Sequence, residues 1–126
     1  MMNRPRRPVF LNLLRIQMPV GAVLSFAHRV SGLLLFLAIP FLIHVLKLSL
    51  ESPRGYAQAT AVFSSVYARV AAVLLIWALV HHLLAGLRFL LIDVDRGVQL
   101  RAARISAWIV NLCGLAALIA AAGGWL

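Results

Sequence analysis

The chain has one cysteine, Cys113, so no disulfide can form within it, and a lone thiol inside an apolar run reads as a small buried hydrophobe. Charge is scarce too. Asp, Glu, Lys and Arg make up 12% of 126 residues against 63% apolar, which is too little for a water-soluble domain of this length. The first residues lack a clean apolar h-region and a small-residue cleavage site, which argues against a cleaved signal peptide. A net charge of +9 would suggest nucleic acid if the basic residues formed a stripe on a soluble surface. They do not form one. Arg4, Arg6, Arg7 and Arg15 crowd the N-terminus, and Arg96, Arg101 and Arg104 follow Asp93. The apolar runs between these groups are nearly free of charge, the distribution expected of loops on the cytoplasmic side, and no nucleic-acid partner is expected.

What the sequence does have is long apolar runs, and they imply an all-α integral membrane protein, a single domain over residues 1–126 with three transmembrane helices. The spans fall at about residues 19–50, 60–92 and 105–125. An N-terminal membrane-surface segment, residues 1–18, places arginines toward lipid headgroups or a soluble partner. Pro19 suits the first turn of the first span, and Pro40 should kink its middle. Ser49 to Ala59 reads as a polar turn with Pro53 and Gly55 as breakers. The second span is longer than a bilayer requires and should tilt or project. The third is apolar throughout and rich in Ala and Gly, which lets helices pack closely in lipid. Basic loops put the N-terminus in the cytoplasm and the C-terminus outside.

Ionisable groups inside such spans are expensive, so each is a site hypothesis. In the second span His82 shares a helical face with Ala78 and Gly86, small residues that would leave room for a flat macrocycle around an imidazole bound to haem iron. His81, rotated about 100°, shares its face with Ala85 and Arg88 and is the rival ligand. In the first span Ser25, His28 and Arg29 lie three and four residues apart, so hydroxyl, imidazole and guanidinium sit close together. An arginine there can hold a carboxylate such as a haem propionate or donate to a carbonyl, and a serine hydroxyl can donate to a carbonyl oxygen. His82 lies about 15 Å in from Ile92 at 1.5 Å per residue, in the same half of the membrane as Ser25, His28 and Arg29. Two polar groups on different helices therefore converge. Arg88 either reaches a propionate or snorkels to the surface, and His44, toward the far side, reads as interfacial.

Taken together, RPVFLNL (7–13), Met18-Pro19, SFAHRVSG (25–32), SPRGY (52–56) and HLLAGLRFLLID (82–93) resemble the cytochrome b membrane-anchor subunits of succinate dehydrogenase, respiratory complex II. The likeness is specific in HRxSG followed some fifty residues later by HxxxGxR, and the third span adds nothing to it. The resemblance implies that His82 is an axial ligand to the iron of a haem b, the opposing ligand coming from a second small membrane-anchor subunit. It implies that Ser25 and Arg29 bind ubiquinone, and that His28 lies near the haem propionates. Arg29 and Arg88 are further candidates for contact with the haem. Electrons from succinate would arrive through a flavoprotein subunit and an iron-sulfur subunit. Phe89 departs from relatives that have a second histidine there. The expected location is a bacterial inner membrane, since the motif begins at Arg7 and leaves no room for a transit peptide. Two other roles fit the same pattern: anchor of a fumarate reductase, and a haem-free structural anchor in the lipid bilayer.

Overall fold

The computed structural model describes residues 17–125, and the expected surface segment lies outside them except for its last two positions. Helix α1 spans Val20–Glu51, α2 Pro53–Ala61, α3 Val66–Asp93 and α4 Leu100–Trp125, with a 3-10 turn at Val62–Ser64. Among the described residues there is no strand. Three of these helices, α1, α3 and α4, are long and apolar enough to cross a membrane. With 32, 28 and 26 residues, they reach roughly 48, 42 and 39 Å at 1.5 Å per residue, beyond a hydrocarbon core of about 30 Å.

Local chemistry sets the boundaries. Pro19 stands just before α1 in extended conformation, and its carbonyl accepts from the Ala22 and Val23 amides. The helix then continues through Pro40, which is exposed. Between α1 and α3 the structure corrects the expected polar turn. Ser52 caps a short helix by accepting from the Gly55 amide at 3.0 Å, and Pro53 occupies its first turn, where a missing N–H costs nothing. Gly55 is buried where α2 folds back on α1, because a Cβ there would run into the Leu48 carbonyl. The second span is also shorter than expected. Ser65 accepts from the Ala68 amide at 3.1 Å and starts α3 afresh at Val66, so α2 and the turn take up the surplus length.

At the other end of α3 the Arg96 amide bonds to the Leu91 carbonyl and the Asp95 amide to that of Ile92. Asp95 takes a left-handed φ of 58° in this paired closure, a place more often held by glycine.

Helix α3 is central and antiparallel to both of its neighbours. Residues near 28 and 32 on α1 meet residues 86 and 82 on α3, while 103–106 and 111 on α4 meet 88 and 81. The buried core is made of small side chains, Ala78, Ala85 and Ala107 with Leu24, Val73 and Val110, so backbones approach closely. Large apolar side chains such as Phe26, Phe36, Leu79 and Ile119 point outward. That inversion of the usual burial pattern suits a bundle solvated by lipid.

Candidate functional site

The two adjacent histidines of α3 face different helices. His82 turns toward α1, where its Nδ1 lies 3.1 Å from the His28 carbonyl and 3.3 Å from Ser31 Oγ. A carbonyl oxygen can only accept, so Nδ1 carries a proton, and in the neutral ring the lone pair then falls on Nε2. The His28 ring stacks on that of His82, 4.2 Å between centroids and 9° from parallel, with Phe89 tilted against His28 at 5.2 Å. Gly32 makes this approach possible. A Cβ at that position would stand 2.8 Å from His82 Cε1.

The space over Gly86, expected to stay open beside His82, is covered by the His28 imidazole, whose Nε2 lies 3.7 Å from where a Gly86 Cβ would be. His28 covers a face of the His82 ring.

His81 turns toward α4 and is 2% exposed. Its Nε2 is 3.2 Å from Asn111 Oδ1, its Nδ1 is buried without a partner, and Gly114 admits the ring by lacking a side chain. His81 and Asn111, with Trp77 and Trp108, border a cavity of about 340 Å³. Val20, Val23 and Ala27 close its α1 side, and Ser25 and Arg29 take no part in it.

The structure brings together His28 and His82 of the expected site residues, and adds Ser31, which is fully buried. Ser25 is half-buried and Arg29 exposed, and neither hydrogen-bonds to another described residue. Arg88 is not brought to the histidine pair. Its Nε donates to Ser106 Oγ and its NH2 to the Ala103 carbonyl, both at 2.9 Å, which ties the end of α3 to the start of α4. Arg88→Leu should therefore cost about 1–3 kcal/mol of stability. Thermal denaturation of the solubilised complex measures this, and an unchanged midpoint would mean that the tie carries no load.

Sequence reasoning passed over Ser31, Asn111 and Ser106. An amide in mid-span is itself a costly group and could have been flagged on that ground. Ser31 carried no such signal, because a serine can satisfy itself on its own helix. Exposed His44 stands apart from all these groups, beyond the middle of α1. Among the described residues no three His, Cys, Asp or Glu side chains gather as a metal-binding group.

Comparison with known proteins gives one consistent family. The model for the succinate dehydrogenase/fumarate reductase transmembrane subunit matches residues 3–121. The succinate dehydrogenase cytochrome b556 subunit of Coxiella burnetii is 31% identical over 122 residues, covering 96% of this chain and 97% of that one. The subunit of the same name from Paracoccus denitrificans is 32% identical over 105 residues, covering 83% and 81%. A third, from Rickettsia felis, is 28% identical over 110 residues, covering 87% and 86%.

Proposed function

The chain belongs to the succinate dehydrogenase/fumarate reductase transmembrane subunit family, and from that premise we propose that it is a cytochrome b anchor of succinate dehydrogenase in a bacterial inner membrane. As a membrane subunit of this respiratory complex it carries no dehydrogenase active site of its own. Its part is to hold a haem b and to help build the site where ubiquinone is reduced. A second small anchor subunit supplies the opposing iron ligand, and iron-sulfur and flavoprotein subunits dock on the cytoplasmic face, where the N-terminus lies.

The observation that carries this reading is the state of His82. Among the described residues both of its hydrogen bonds fall on Nδ1, which leaves Nε2 of a ring held by α1 as the nitrogen that would bind iron. A haem would ask of this chain a single imidazole, which His82 would supply without any larger cluster of ligating side chains. When bound, the haem supplies a one-electron carrier. His28 and Arg29, one turn of α1 from Ser25, are the groups of this chain suited to its propionates.

Ubiquinone reduction consumes two electrons and two protons, so its site needs donors to the carbonyl oxygens and access to water. Ser25 offers a neutral hydroxyl and Arg29 a fixed positive charge that favours the reduced oxygen. Both stand on α1 away from the α3–α4 core, where a partner subunit can complete the pocket.

Arg29→Leu should lower quinone reduction by about 10²-fold and Ser25→Ala by about tenfold, the sizes expected for losing a charged and a neutral donor to a developing oxyanion. Succinate oxidation with a soluble artificial acceptor should remain within about twofold, since that reaction bypasses the membrane. Equal loss in both assays would mean faulty assembly, and undiminished quinone reduction in both variants would refute the assignment. A visible spectrum of the purified complex without a b-type band would instead favour a haem-free tether.

A further inference from the structure

Ser31 has no place in the reading above, yet it is completely buried and touches both the ring of His82 and the carbonyl that holds it. Its hydroxyl donates to the His28 carbonyl at 2.9 Å, within its own helix. That bond uses the only proton on Oγ, so toward His82 the oxygen can present only lone pairs. Nδ1 of His82, 3.3 Å away, carries a proton because it also faces the His28 carbonyl at 3.1 Å. The Nδ1–H is therefore shared between two acceptors, and the carbonyl, with two lone pairs, receives both the Ser31 hydroxyl and the imidazole. The three groups form a closed triangle.

We infer that Ser31 is a positioning residue for the iron ligand, fixing the tautomer and tilt of His82 and raising the donor strength of Nε2 through the hydrogen bonds at Nδ1. The inference rests on His82 being the axial ligand. Its physical basis is general: acceptors on the far nitrogen of a ligating imidazole hold its orientation and make it a stronger base. A stronger donor stabilises the ferric state over the ferrous state. Removing one acceptor shifts that balance toward ferrous iron. Here the second acceptor comes from the same turn of α1 that supplies the carbonyl, so one helix sets both orientation and strength.

The test compares Ser31→Thr with Ser31→Val in the intact complex, two side chains of equal bulk that differ in the hydroxyl. The readout is a redox titration of the haem followed by its visible absorption. Valine should lower the ferric-to-ferrous ratio at fixed potential about three- to tenfold, roughly 30 to 60 mV at 59 mV per tenfold for one electron. Threonine should hold the ratio close to that of the parent. Ser31→Ala, which removes the hydroxyl without adding bulk, should follow valine and serves where a buried methyl blocks assembly of both larger variants. A ratio that is unchanged, that rises, or that is equal in the threonine and valine variants would overturn the role of Ser31. Failure of the ligand assignment itself shows separately, as haem retained when His82 and His28 are both removed.

Discussion

His82→Leu is expected to reduce the haem-to-flavin ratio of the purified complex at least tenfold, read from the b-type absorption and from extracted haem. Leucine has similar bulk and suits a lipid environment, so the helix should survive while the proposed iron ligand is lost. Loss of a partner that merely orients a ligand already costs metal affinity 10- to 100-fold, and losing the ligand itself should cost no less. His81 offers no rescue, since it is 2% exposed and held against Asn111 on a different face of α3. His28 is a nearer substitute, its ring stacked 4.2 Å from that of His82. The double variant His28→Leu/His82→Leu is therefore the stricter experiment. Undiminished haem in that protein would sink the assignment.

Gly32→Ala should be nearly as damaging, for steric reasons alone. The added Cβ would lie 2.8 Å from His82 Cε1 and 3.2 Å from Nδ1. Such a contact forces movement, and the atoms in the way belong to a ring already tied to α1. Either His82 leaves the His28 carbonyl and Ser31, or α1 and α3 separate where they meet. Overpacking of this kind typically costs about 1–3 kcal/mol. A comparable loss in the thermal midpoint is expected, together with lower haem content. Gly21→Ala is the matched control on the same helix, because nothing lies within 4 Å of a Cβ there. Equal behaviour of the two variants would show that contact with His82 is not what position 32 protects.

How much of this was legible beforehand depends on the kind of signal. The three crossings follow from apolar length, because lipid imposes that requirement on any helix that spans it. The helical wheel also put His81 and His82 on different faces, and the structure gives each face a different neighbour. Which neighbour it could not say, since two antiparallel partners of similar apolar character present similar surfaces. Helix α2 was hidden for a different reason. Proline and glycine after a serine can break a helix or begin one, and the Ser52 cap with Gly55 pressed on Leu48 decides for beginning. Asn111 was submerged in the apolar character of its span. Arg88, open between two roles in the sequence, finds its partners on α4, a contact that depends on how the α3–α4 connection reverses.

The different directions of His81 and His82 bear on how the bundle selects one arrangement. In lipid, apolar side chains gain little by exchanging tail for neighbour, so greasy packing scarcely distinguishes one azimuth of a helix from another. Turning α3 by a single residue, about 100°, would withdraw one imidazole from Asn111 and the other from the α1 carbonyl at once. Two consecutive residues thus act as a rotational latch, and the same latch that orients both rings also keys the order in which the three rods can sit side by side.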